Sequence, residues 1–233
     1  MNGKVADWFR GPEVAVSLYA ADFSKLGEQV NSLLDAGARI FHFDVGDGHF
    51  IPDITMGPVV LKSVAPMIHG RSGLLGCHLM VEKPERQFER LKKAGADSVS
   101  FHAETCARPV DAVRLARELG LGVGIAFSPE TPVERAAEVV SQVSADFTLC
   151  MSIHPGLSGQ AFLPSAFERI RLLRNLLPTG IIEVDGGVNL ENISDVKQAG
   201  ADLIVAGSAV FWTDDPGAAY RALRAQLLIL RPS

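Results

Sequence analysis

The chain has 233 residues, 47% of them hydrophobic, with a formal net charge of −5. That length suits one barrel-sized domain with a sizeable core, and the acidic balance argues against nucleic acid or an anionic membrane surface as a partner. The cysteines are Cys77, Cys106 and Cys150; an odd number without C-x-x-C spacing suggests neither a disulfide framework nor a structural zinc site, and fits a reducing cytoplasm.

Taken in chain order, the first dozen residues, MNGKVADWFRGP, carry charge and no apolar run, so they read as a short N-terminal extension over about 1–12 and not as a signal peptide. Short β-branched runs then alternate with helix-period segments. Strands are expected over Val14–Tyr19, Ile40–Val45, Leu74–Val81, Ser98–His102, Gly122–Phe127, Phe147–Ile153, Ile181–Val184 and Leu203–Ala206. Helices are expected over Lys25–Asp35, Pro84–Ala94, Pro109–Leu119, Pro132–Val143, Ala166–Leu177 and Asn192–Ala199. The last apolar run, LLIL at 227–230, is far too short to span a bilayer.

Strands alternating with helices imply parallel strands joined by crossovers. Eight such units in one chain point to a closed (β/α)8 barrel occupying 1–233 as a single domain. A weak repeat supports this: Ala36-Gly37-Ala38-Arg39, Ala94-Gly95-Ala96-Asp97 and Ala199-Gly200-Ala201-Asp202 each stop a helix and start a strand. The rival is an open doubly wound sheet, but no Gly-rich dinucleotide fingerprint follows the first strand.

Barrel enzymes carry their chemistry at the C-terminal ends of the strands. His42 and Asp44 stand two apart on strand two, so both face one way, while Phe43 and Val45 face the other. His78 and Asp185 end strands three and seven. Singly, each fits a satisfied core histidine or a turn-opening aspartate. Together, two imidazoles and two carboxylates make a site for a divalent ion such as zinc, manganese or iron. Glycines cluster after the last three strands, at Gly156-Leu157-Ser158-Gly159, Gly186-Gly187 and Gly207-Ser208. They allow tight turns, and they also let backbone N–H groups approach a phosphate. His49 and His154 fall in loops and read as solvated. His102 has no evident partner, and Cys150 reads as core.

These residues carry a resemblance. From about Val14 to Phe211 the chain resembles the ribulose-phosphate 3-epimerase family. The matching stretches are Ser17 with Ala21-Asp22-Phe23, His42-Phe43-Asp44-Val45 with Asp47-Gly48-His49-Phe50-Ile51-Pro52, His78-Leu79-Met80-Val81, Pro155-Gly156 with Gly159-Gln160, Glu183-Val184-Asp185-Gly186-Gly187 and Val205-Ala206-Gly207-Ser208-Ala209. The resemblance implies a TIM barrel of the ribulose-phosphate-binding type. It implies a divalent metal, zinc first and Fe2+, Mn2+ or Co2+ as alternatives, held by His42, Asp44, His78 and Asp185. It also implies that Asp44 and Asp185 are the acid and base for inversion at carbon 3 of a ketose phosphate, through a cis-enediolate. Ser17, His78, Met80 and Met151 would contact the sugar, and Gly156, Leu157, Ser158, Gly159, Gly186, Gly187, Gly207 and Ser208 would surround its phosphate. A homo-oligomer is expected, with neither nucleic acid nor membrane as partner.

The chain departs from the family at three places. Gly46 stands where a methionine is usual, which would leave a gap beside the reacting carbon. His154-Pro155-Gly156-Leu157-Ser158-Gly159 replaces Asn-Pro-Gly-Phe-Gly-Gly, and Val16 replaces a proline. The gap at Gly46 keeps a hexulose 6-phosphate, such as allulose 6-phosphate, as an alternative to D-ribulose 5-phosphate. A barrel of the decarboxylase type would want Asp-x-Lys-x-x-Asp, which Asp44-Val45-Gly46 lacks. A non-catalytic sugar-phosphate-binding barrel would have little need of the His/Asp set.

Overall fold

The computed structural model describes Val5 and residues 11–228. Eight parallel strands close into a barrel in sequence order: β1 (Glu13–Ser17), β2 (Ile40–Gly46), β3 (Leu74–Met80), β4 (Ser98–His102), β5 (Gly122–Phe127), β6 (Phe147–Met151), β7 (Ile181–Asp185) and β8 (Leu203–Ala206), with β8 pairing back onto β1. Between them run α1 (Leu26–Asp35), α2 (Pro58–Gly70), α3 (Phe88–Ala94), α4 (Pro109–Glu118), α5 (Val133–Val143), α6 (Ser165–Leu176) and α7 (Ile193–Ala199). The short α8 (Ser208–Phe211) and α9 (Pro216–Leu228) follow β8. The closed order excludes the open sheet. Apart from Val5, Gly11 and Pro12, the expected N-terminal extension lies outside the described residues, as do residues 229–230 of the LLIL run. No helix among the described residues is long and apolar enough to cross a membrane.

Parallel strands bury both faces, and the two faces here do different work. Outward residues such as Phe41, Phe43, Leu75, Val99 and Phe101 pack with the helices in the main core. Burial of each such side chain contributes about 1.5–3 kcal/mol. That anchorage lets the inward face of β2 carry His42 and Asp44. Inside, an apolar layer of Ala15, Ile40, Leu203 and Val205 closes one end. Phe147 fills the space that side-chain-free Gly124 leaves.

The helix-to-strand repeat has a clear basis. Gly37, Gly95 and Gly200 all take positive φ, the left-handed conformation that closes a helix. The aspartates that follow tie the preceding strand: Asp97 Oδ2 accepts Leu75 N–H at 2.8 Å and Asp202 Oδ2 accepts Ile182 N–H at 2.9 Å. A further copy, Ser144-Ala145-Asp146, has a serine in the left-handed position, and its aspartate accepts Val123 N–H.

Three expected strands end early, β3 by a single residue at Met80. β1 stops at Ser17, where a 3-10 turn over Leu18–Ala20 begins. β6 stops at Met151; the next residue, Ser152, bonds across to the end of β7, its N–H to Asp185 O and its Oγ to Asp185 O and Gly186 O at 2.9 and 2.6 Å. Helix α2 was not among the expected helices; it starts at a proline, contains Pro66 and is apolar on much of its surface, which blurs its periodicity.

Candidate active site

The strand register brings four ionisable side chains to one end of the barrel. Asp44 pairs with His78 across β2 and β3, while Met151 pairs with Asp185 across β6 and β7. His42 Nε2 stands 3.2 Å from Asp44 Oδ1 and 3.5 Å from Asp185 Oδ2. His78 Nδ1 stands 3.3 and 3.4 Å from the same two oxygens. One ligand atom from each residue lies within 4.8 Å of all the others.

These four donors fit a divalent cation. His42 Nε2 is buried and, although near both carboxylates, is aligned for a hydrogen bond with neither. The other nitrogen of the ring, Nδ1, is engaged by Glu183 Oε1 at 3.1 Å. That is the usual arrangement of a ligating histidine, with the far nitrogen held by a carboxylate and the near one turned to the metal. Two carboxylate oxygens and two imidazole nitrogens suit zinc, iron, manganese or cobalt.

Without a metal the four groups hold one another in their charged forms. Burial opposes charge on His42, but Asp44 and Asp185 outweigh it and raise its pKa well above the usual histidine value. Burial likewise opposes charge on His78, and the same carboxylates raise its pKa too. Burial would push both aspartates up; His42 first, and then His78, holds Asp44 and Asp185 below the ordinary carboxylate range.

Side chains around the tetrad fix its geometry. Ser17 Oγ donates to Asp44 Oδ2 at 2.6 Å. Thr55 Oγ1 donates to Asp44 O and accepts from Gly46 N–H, both at 2.7 Å, pinning the loop after β2 to the strand end. Sequence reasoning missed Glu183 as a partner, although a signal existed: Glu183 and Asp185 alternate on β7 as His42 and Asp44 do on β2, and both face inward. Thr55 had no signal in the sequence. His102 does have a partner, since its Nε2 lies 3.0 Å from His78 Nε2.

Beside the tetrad opens a cavity with about 490 Å3 of empty space, its open mouth included. Asp44 and Asp185 are in its wall, with Ser17, Met80 and Met151. The expected phosphate residues are there as well: Gly156, Leu157, Ser158 and Gly159 from the loop after β6, Gly186 and Gly187 after β7, and Gly207 and Ser208 after β8. At Gly187 φ is +65°, and a Cβ would stand 2.5 Å from Phe162 N, so only glycine brings the chain this close. Gln160 Nε2 donates to His154 O and Leu157 O at 2.9 Å each and closes the loop after β6 on itself. Among the described residues neither lysine nor arginine lines the cavity. Tyr19, which sequence reasoning did not single out, adds a phenol to the wall; burial, then Asp53 and Asp44, raises its pKa.

His78, expected against the sugar, is fully buried beside the cavity wall. Two expectations change. Gly46 leaves no gap: a Cβ there would meet Ile51 Cδ1 at 2.5 Å, Asp53 O at 2.9 Å and Thr55 Cγ2 at 3.0 Å, and Gly46 is not in the cavity wall. His154 is exposed but not merely solvated, since its Nδ1 pairs with Glu130 at 2.6 Å.

Comparison with known proteins shows the family to which the chain belongs. A model of the ribulose-phosphate 3 epimerase family matches residues 13–211. Ribulose-phosphate 3-epimerase of Mycobacterium bovis is 39% identical over 220 residues, covering 93% of each chain. That of Bacillus subtilis is 38% identical over 217 residues, covering 91% of this chain and 98% of the relative. Among solved structures, 3-hexulose-6-phosphate synthase from Salmonella typhimurium superposes with a TM-score of 0.71 over 93% of this chain and 98% of that one. At 17% identity that likeness speaks for the fold alone.

Proposed function

Because the chain belongs to the ribulose-phosphate 3-epimerase family and is accordingly an isomerase acting on a carbohydrate, we propose that it interconverts D-ribulose 5-phosphate and D-xylulose 5-phosphate at carbon 3, with Asp44 and Asp185 as the acid and base. What supports this reading most is that both carboxylates share one cavity wall, each with an oxygen on the same two imidazoles. Inverting a stereocentre requires a proton taken from one face and another given to the opposite face, which calls for two such groups.

His42, Asp44, His78 and Asp185 would hold the metal, zinc first. When bound, the ion supplies positive charge to the ketone oxygen, which acidifies the neighbouring C–H. Asp44 Oδ2 is oriented by the Ser17 hydroxyl. Among the described residues no protein group hydrogen-bonds Asp185 Oδ1, so that oxygen is free to face substrate. One aspartate removes the carbon 3 proton and the other returns one. Met80 and Met151, both nearly buried in the cavity wall, keep water from the reacting carbon. Backbone N–H groups of the loops after β6, β7 and β8 grip the phosphate, away from the chemistry, and help position carbon 3.

Ile51 and Thr55 occupy the space beside Gly46 that would favour a hexulose 6-phosphate, which supports the pentulose as the substrate. An NMR-monitored assay on a panel of ketose phosphates, with and without chelator, tests it. Ribulose 5-phosphate should be turned over fastest and chelator should stop it. Preference for a hexulose 6-phosphate would overturn the substrate and leave the reaction type standing.

A further inference from the structure

The string of side chains behind His78 plays no part in the reaction described above. His78 Nε2 faces His102 Nε2 at 3.0 Å, and both rings are fully buried. Two imidazole nitrogens at that distance need one N–H between them, so one must donate and the other accept. The far side of His102 decides which. Its Nδ1 lies 3.3 Å from Glu104 Oε2 and 3.4 Å from Ser128 Oγ. Glu104 is a carboxylate, an acceptor only, and its other oxygen already receives the Ser128 N–H at 2.8 Å and the Thr131 hydroxyl. The proton of His102 therefore belongs on Nδ1, pointing at Glu104, which leaves His102 Nε2 bare and puts the N–H on His78 Nε2. His78 Nδ1, which faces two carboxylate oxygens at 3.3 and 3.4 Å, is then the nitrogen that holds the second proton in the metal-free chain and is left bare for a cation when that proton departs.

The anchor is rigid. Arg169 on α6 donates to Thr131 O and Ser128 O at 3.0 and 2.9 Å, holding the loop that holds Glu104. The His102 ring is packed between Phe50 and His78, at centroid distances of 4.7 and 5.1 Å.

We propose that His102 and Glu104 are positioning residues that set the tautomer of His78 and so reserve its Nδ1 for the metal. This rests on the reading of the tetrad as a metal site. His102→Phe keeps an aromatic ring but removes the acceptor, so His78 becomes free to place its proton on Nδ1 and bond Asp44 and Asp185 in place of a metal. His102→Gln offers a carbonyl oxygen near the lost nitrogen.

The test is the zinc dissociation constant of the full chain, measured by chelator competition, with melting of the metal-free form as control. His102→Phe should bind about 10- to 100-fold more weakly, the usual effect of losing a ligand's outer partner. His102→Gln should recover most of the loss, which a merely structural effect of the ring would not explain. Should His102→Phe fail to fold, Glu104→Leu at the partly exposed end of the string should weaken zinc in the same direction, with Glu104→Gln restoring it. Wild-type affinity in folded His102→Phe or Glu104→Leu would overturn the proposal alone. A wild-type chain that takes up no zinc would overturn the metal reading and this proposal together.

Discussion

Ile51 stands where a side chain at position 46 would project: its Cδ1 is 2.5 Å from an ideal Cβ on Gly46, and the residue is 2% exposed. The end of β2 is thus filled from the following loop. Gly46→Met should destabilise the fold by about 1–3 kcal/mol, the usual cost of overpacking. The Ile51 tip can swing aside, but the Asp53 carbonyl at 2.9 Å is backbone and cannot. Adding Ile51→Ala should return part of the loss. Denaturant melts of the two single variants and the double variant measure that coupling. Additive effects would mean that the two positions do not share the space.

Asp44→Asn and Asp185→Asn should each nearly abolish turnover. Each removes a metal donor and a proton acceptor at once, and loss of a general base alone typically costs about 10²- to 10⁴-fold. Steady-state kinetics on the metal-loaded variants checks this; near wild-type kcat in either would contradict the two-aspartate scheme.

Ser17→Ala should act more mildly. It removes the 2.6 Å hydrogen bond that orients Asp44 Oδ2 and leaves the metal donors intact. Hydrogen bonds to charged groups contribute about 1.5–3 kcal/mol, so kcat should fall by roughly ten- to a hundredfold. Metal content should stay at wild-type level, which distinguishes this variant from a tetrad mutant.

Metal uptake should strengthen as pH rises. His42 and His78 have pKa values raised above the ordinary 6.5, so in the metal-free chain they hold protons that a metal must displace. The sign for stability follows the same shifts. The raised histidines stabilise the metal-free fold fully below 6.5, and this is lost as pH climbs through their folded values. The lowered aspartates stabilise it above 3.8, and this is lost as pH falls through theirs. Metal-free protein should therefore lose stability on the alkaline side, where metal-loaded protein gains. Melting temperatures with and without chelator at about pH 6 and about pH 9 should show the gap widening with pH. A constant gap would mean that no proton leaves the site.

Much of this site was readable because its signals are periodic. Alternation on β2 put His42 and Asp44 on one face, and glycines after the last strands marked the loops that line the cavity. Three of the eight strands, Ser98–His102, Gly122–Phe127 and Leu203–Ala206, run over the expected residues because turns bound them tightly. What escaped the sequence depends on contacts between distant residues. Ile51 filling the space at Gly46, Thr55 folding back on Asp44, and the string from Glu104 through His102 to His78 arise from loop placement, which no spacing reveals. The repeat at Ser144 was hidden because serine took the left-handed role that glycine has elsewhere.

Proton exchange at carbon 3 by two aspartates beside a bound metal can be followed by NMR at carbon 3 during the reaction of ribulose 5-phosphate in deuterium oxide. Xylulose 5-phosphate should form carrying solvent deuterium at carbon 3, and formation should stop with chelator, with Asp44→Asn and with Asp185→Asn. Xylulose 5-phosphate that keeps its original carbon 3 hydrogen, or that forms undiminished in metal-free protein, would contradict the account.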